Sequence, residues 1–107
     1  MLFKSIVLAI GKHKDLSITK ESLISFVSSA ELPLSVSYNF MNTALNGKLG
    51  RLVFLEVIDD RVYGTFDIPD WLLSVKDRKE IEFAVSINRE TLKLNSAAVV
   101  DNAYFKE

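Results

Sequence analysis

Apolar and polar positions along the chain fall into short blocks, and the period of each block names an element. Residues 3–10 are β-branched and apolar and stop at Gly11, which predicts a strand running into a solvated loop of Lys12, His13, Lys14 and Asp15. Thr19 follows, with a side-chain oxygen able to accept from the exposed amides of a helix start, and Glu21 falls in the positive first turn. Leu23, Phe26, Val27 and Ala30 then recur at helical spacing, so this helix must lay an apolar stripe on another apolar surface, with Pro33 bounding its far end. Beyond it Leu34, Val36, Tyr38 and Phe40 alternate with Ser35, Ser37 and Asn39, the period of a strand whose buried face includes Tyr38.

After the polar stretch 42–48, the runs 49–58 and 61–68 are strand-like and are separated only by Asp59 and Asp60, which predicts a tight hairpin. Pro69 suits the first turn of a short helix, from which Trp71, Leu72 and Val75 pack downward as a cap ending near Lys76. Phe83, Val85 and Ile87 alternate with Ala84, Ser86 and Asn88, and an apolar stretch at 97–100 precedes Tyr104 and Phe105, so two further strands are predicted. No repeat or compositional break divides the chain. These segments predict a single α+β domain over residues 1–107: a mainly antiparallel sheet, curled or closed into a small barrel, with one longer and one short helix.

Composition then removes several classes of function. The 107 residues are enough for one hydrophobic core and too few for two. The balance of 13 basic against 14 acidic side chains leaves no positive field to draw in phosphate backbones, so nucleic acid is not an expected partner. With no cysteine there is no disulfide, no thiolate nucleophile and no cysteine-based metal site. The apolar run at 6–10 is far short of the roughly 20 residues that cross a bilayer, and the start of the chain lacks the pattern of a secretory signal. The expected setting is the cytosol, or a particle assembled there, with no membrane contact.

Individual residues suggest little chemistry. His13 is the only histidine, sits between lysines and has no acid or nucleophile paired with it nearby, so it reads as an exposed loop residue in preference to a base, unless tertiary contact makes it one. Ser86 lies in a strand with no base in view to take its proton, and a small outward-facing residue is the simpler reading. Asp59, Asp60, Asp67 and Asp70 lack the glycine turn and closing glutamate of a calcium loop, and Gly47-Lys48-Leu49-Gly50 does not match a phosphate-binding loop, so neither metal nor cofactor is expected. The mixed charges Lys76, Asp77, Arg78, Lys79 and Glu80 make a solvated connection or, more sharply, a protein interface. Trp71, Tyr104 and Phe105 are aromatics of the kind that anchor interfaces when exposed and fill cores when not.

Taken in order, the segments resemble the phage prohead maturation proteases, in particular the protease and scaffold group of the phage Mu type, over most of the chain. The resemblance rests on Gly11-Lys12-His13, the helix start Thr19-Lys20-Glu21-Ser22-Leu23, the strand after Pro33, the hairpin that follows Gly50, Val85-Ser86-Ile87, and the leucine-containing closing segment 94–102. It implies a serine nucleophile at Ser86. Where the family's strand carries the histidine base, this chain has Tyr38 preceded by Ser37, and Ser96 stands where a supporting polar residue is often found. A phenol with an ordinary pKa of about 10 is a poor general base near neutrality, and loss of one member of a triad removes orders of magnitude in rate. The resemblance therefore implies a non-enzymatic head protein of the virion: a capsid decoration protein or assembly factor whose partner is the major capsid protein or itself. Trp71, Lys76, Arg78, Lys79, Tyr104 and Phe105 are its candidate contacts. Two alternatives stay open at this point: an active maturation protease in which Ser86 is assisted by His13 or Tyr38, and an unrelated protein-interaction adaptor.

Overall fold

The computed structural model describes residues 1–13, 16–41, 48–75 and 81–101, and for His13 and Val75 it describes the backbone only. It is an α+β structure dominated by one six-stranded sheet, curled until it nearly closes. The strands are β1 (Leu2–Ala9), β2 (Gly11–His13), β3 (Leu16–Ile18), β4 (Leu34–Tyr38), β5 (Arg51–Ile58), β6 (Arg61–Asp67), β7 (Glu82–Ile87) and β8 (Leu94–Val100), with helices α1 (Lys20–Ser29) and α2 (Leu72–Val75). The large sheet runs β1-β6-β5-β4-β8-β7, and β2 and β3 form a separate two-stranded ribbon. Every neighbouring pair is antiparallel except β4 with β8.

The expected hairpin is present, with Ile58 opposite Arg61 across a turn of Asp59 and Asp60. Asp59 takes a positive φ of 55°, a conformation short polar side chains tolerate. The Lys20 ammonium donates to the Asp59 carbonyl, and the Ile10 amide donates to that of Asp60 at 3.0 Å, so the turn is held from both sides. Helix α1 begins as its residues predict: Thr19 Oγ1 accepts from the Ser22 amide at 3.2 Å, while the Ser22 hydroxyl accepts from the Thr19 amide at 3.3 Å. Leu23 and Phe26 are fully buried in the main core, and Val27 and Ala30 pack at its margin.

Three expectations are corrected. The polar stretch after Gly11 does not open directly into a loop: Gly11, Lys12 and His13 pair with Ile18, Ser17 and Leu16 as the β2–β3 ribbon. Ile18 and, at the margin, Leu16 anchor that ribbon on the core. Trp71 does not pack downward; it is 43% exposed, while Leu72 beside it is buried. Amide bonds from Leu72, Leu73 and Ser74 back to Pro69, Asp70 and Trp71 form a tight i to i+3 turn that aims Trp71 away from the core. The strand of alternating residues at 34–40 stops at Tyr38, because Asn39 and Phe40 both adopt positive φ.

Sheet curl comes from register shifts with an extra residue between Ile6 and Leu8 in β1, between Leu52 and Phe54 in β5, and at Asn95 in β8 opposite Ser86 and Ile87, each of which bends the strand that carries it. The edge strands β1 and β7 thereby come side by side, yet they are not joined by a ladder. Side chains close the seam instead. The Phe83 ring from β7 stacks on Phe66 of β6 at 4.0 Å between centroids and 13° between planes, and meets Phe3 of β1 at 6.3 Å. Phe3 and Phe66 are themselves cross-strand partners, so one aromatic cluster ties three strands.

Two glycines are required by this packing. A Cβ on Gly64 would lie 3.0 Å from both Leu52 Cδ1 and Phe66 Cε2, so the missing side chain is the space the Phe66 ring leans over. Gly50 has φ +98°, and a Cβ there would sit 2.1 Å from the Asp67 carbonyl oxygen. In urea denaturation, Gly64→Ala is expected to cost about 1–3 kcal/mol by overpacking, and Gly50→Ala more, about 3 kcal/mol or above, since its clash is with backbone that cannot step aside. Wild-type midpoints for both variants would contradict this packing.

Candidate functional site

Strand β4 is where the candidate residues can be compared. It pairs antiparallel with β5 through Leu34 and Ser35, then parallel with β8 through Val36, Ser37 and Tyr38 opposite Ala97, Ala98 and Val99. On its other side β8 sets Val99, Ala98, Ala97 and Ser96 opposite Phe83, Ala84, Val85 and Ser86. Because side chains alternate between faces, Tyr38, Val99 and Phe83 share the core side, as do Val36, Ala97 and Val85. Ser86 and Ser96 fall on the opposite face, with Ser37, Ala84 and Ala98, where Ala98 and Val100 form a second, smaller buried cluster.

Ser86 and Tyr38 are thus two strands apart, displaced along the sheet and on opposite faces. Among the described residues, the direct cross-strand partner of Ser86 is Ser96. A second hydroxyl supplies no base, since its own proton is as tightly held as the one to be removed. The backbone of His13 lies on the β2–β3 ribbon beyond the end of β1, and its side chain falls outside the described residues. Lys76, Arg78, Lys79, Tyr104 and Phe105 also lie outside them, so of the expected interface residues only Trp71 is placed, exposed ahead of α2.

Tyr38 has a different task. Its ring packs at the margin of the core, and its hydroxyl donates to the Asp101 carboxylate at 3.0 Å to Oδ1 and 3.2 Å to Oδ2. Asn39 completes the knot: Nδ2 donates to Asp101 Oδ2 at 3.1 Å, Oδ1 accepts from the Asp101 amide at 3.1 Å, and the Asn39 amide donates to the Val99 carbonyl at 2.8 Å. The end of β4 is locked to the end of β8. The bond to Asp101, then its negative charge, then desolvation raise the Tyr38 pKa above the ordinary phenol value, with a smaller opposing effect from Asn39. A phenol already donating to a carboxylate holds its proton more firmly, which is opposite to what a general base needs.

The knot also fixes a turn. The Met41 amide donates to the Tyr38 carbonyl at 2.9 Å, closing a four-residue turn whose central residues, Asn39 and Phe40, have φ of 48° and 58°. Two positive φ values mark the turn type in which glycine is preferred at the second centre. Phe40 occupies that place and costs roughly 1–2 kcal/mol of backbone strain. Its side chain is 43% exposed and that of Met41 is 58% exposed, so burial does not offset the strain.

At the other end of β4 the two parallel strands part. Two residues before the Val36 and Ala97 pair, Leu34 and Asn95 do not continue the ladder and instead line an open cleft of about 450 Å³, together with Ser29, Glu31, Leu32, Pro33, Lys93 and Leu94. Leu32, Leu34 and Leu94 pack against the core and form its floor, while Glu31, Pro33, Lys93 and Asn95 are exposed around it. Among the described residues no three His, Cys, Asp or Glu side chains converge to hold a metal ion. Neither the knot nor the cleft was legible in advance. Asn39 gave a faint sign, as a residue that tolerates positive φ, but nothing marks Asp101 as its partner.

Comparison with protein-family models, curated proteins and solved structures finds no match to this chain.

The raised Tyr38 pKa has a worked consequence for stability. The protonated phenol is favoured in the fold, so its contribution is complete below the ordinary phenol value and is lost as pH rises through the higher native one. In an NMR pH titration the Tyr38 ring should ionise above the free phenol, and Asp101→Asn should bring its midpoint back down. A midpoint indifferent to Asp101 would mean the bond is not formed in solution.

Proposed function

We propose that the chain is a non-enzymatic protein of the phage head, a capsid decoration protein or assembly factor built on a prohead-protease-like arrangement whose base has been replaced. The observation that carries the non-enzymatic part is the engagement of Tyr38. Tyr38, which the resemblance sets where the family carries its base, donates to Asp101 and lies on the face opposite Ser86. A nucleophilic serine needs its base within hydrogen-bond reach and donors aimed at the developing oxyanion. Ser86 has another serine opposite it instead.

The head-protein part draws its support from the order of segments, Gly11-Lys12-His13, the Thr19 helix start, the β5–β6 hairpin and Val85-Ser86-Ile87, which runs as in the prohead proteases. A residue kept for structure, as Tyr38 is, fits a fold reused after its site has been dismantled. The expected partner is the major capsid protein or a second copy of the chain, and the expected location is the virion, after assembly in the host cytoplasm. Trp71 supplies the one described aromatic anchor among the contacts expected from sequence.

The purified chain should co-sediment with empty heads made of the cognate major capsid protein, and Trp71→Ala should weaken that binding roughly tenfold or more if it is a central contact. Absence of co-sedimentation across salt and pH would remove the head-protein reading. In parallel, a fluorophosphonate probe should leave Ser86 unlabelled; labelling that disappears in Ser86→Ala would establish a working hydrolase instead.

A further inference from the structure

Opposite charges, an apolar floor and unpaired main chain meet where β4 and β8 part. Leu32, Leu34 and Leu94 line the open cleft of about 450 Å³ and are only partly buried there, so some of their apolar surface stays in water. Glu31 and Lys93 stand exposed at the rim, one before the start of β4 and the other before the start of β8. Among the described residues neither forms an ion pair, with the other or with any third group. Asn95, also at the rim, has no ladder partner: Ser86 and Ile87 face Ser96 and Leu94 on one side, and β4 joins β8 only from Ala97 onward on the other. Its main-chain and side-chain amides are left to water or to a ligand. The volume lies within the range of small-molecule sites, roughly 300–1,000 Å³. A purely apolar guest would strip water from Glu31, Lys93 and Asn95 and return no bond to them, which the mainly polar lining makes costly.

We infer that the cleft binds a small zwitterion with an aliphatic side chain, a free amino acid or a short peptide. Its ammonium group meets Glu31, its carboxylate meets Lys93 and the Asn95 amides, and its side chain covers the three leucines. Hydrogen bonds between ionised partners are about twice as strong as neutral ones. A single exposed ionic contact is worth little in water, so selectivity comes from meeting both charges and the floor at once. A ligand with one charge leaves the opposite rim group partly desolvated and unpaired, and one with no side chain leaves the leucines wet. The cleft is open and its rim solvated, so the dissociation constant is expected at about 1 mM. This inference stands on the cleft alone and does not require the head-protein reading.

An amide NMR titration of the whole chain at low ionic strength tests it. L-leucine and leucyl-leucine should each move the amides of Glu31, Leu32, Leu34, Leu94 and Asn95 along saturable curves. Tighter binding of the first assigns the cleft to free amino acids, and tighter binding of the second to short peptides. Glycine keeps both charges without the side chain, while N-acetyl-L-leucine and L-leucinamide keep one charge each, and all three should bind about tenfold more weakly. Lys93→Gln should erase the preference for L-leucine over L-leucinamide and keep that over N-acetyl-L-leucine, and Glu31→Gln should do the reverse. Both positions are exposed, so these variants are expected to melt as the wild type does. No saturable shift up to about 50 mM, shifts confined to other surfaces, or affinities that ignore charge and side chain alike would overturn the inference. Co-sedimentation with empty heads is a separate readout, so failure of either proposal leaves the other standing.

Discussion

The stack of Phe83 on Phe66 is the contact on which the architecture depends. A six-stranded sheet that curls without closing leaves its edge strands, β1 and β7, side by side with no ladder between them. Unpaired edges are open to solvent and to other chains unless something holds them together. Here ring packing does so, with Phe83 from one edge strand reaching across to Phe66 and Phe3. The rest follows from that constraint. Gly64 has to be small because the Phe66 ring lies over it, and Leu23 and Phe26 of α1 share the same buried cluster as the three rings.

Strand β4 is the second organising element, because it belongs to both halves of the sheet. Its first residues serve the antiparallel half through β5, and its last serve the β7–β8 half through a parallel pairing. Changing partner within five residues forces the cleft at one end, where β8 has not yet been joined. It also exposes the other end, where the parallel pair must be terminated and Tyr38, Asn39 and Asp101 terminate it. Of the residues that sequence inspection marks as potential chemistry, Tyr38 is thereby engaged in holding this joint.

Local chemistry made part of this legible from residues alone. Thr19 as a cap, the helical spacing of Leu23 and Phe26, the acidic turn at Asp59 and Asp60, and the strand periods of β5, β6 and β7 each state their own structure, because the governing interactions lie within a few residues. The β2–β3 ribbon did not announce itself, since Lys12 and His13 read as loop while Ile18 and Leu16, packed on the core, hold the ribbon in place. Nor did the parallel pairing of β4 with β8, which joins residues about 60 positions apart and leaves no periodic trace. The alternation running on through Phe40 pointed to a longer strand, and the positive φ at two successive residues overrode it. Trp71 reads from sequence both as a cap residue packing downward after Pro69 and as a candidate contact, and the tight turn around Pro69 directs it outward.

A double-mutant cycle between positions 66 and 83 tests the central closure most directly. Urea unfolding of Phe66→Leu, Phe83→Leu and the double variant should give a coupling energy of about 0.5–1.5 kcal/mol, the range for aromatic pairs beyond their simple burial. Additive costs, within roughly 0.3 kcal/mol, would mean that the rings do not meet in solution and that the sheet is closed by some other means.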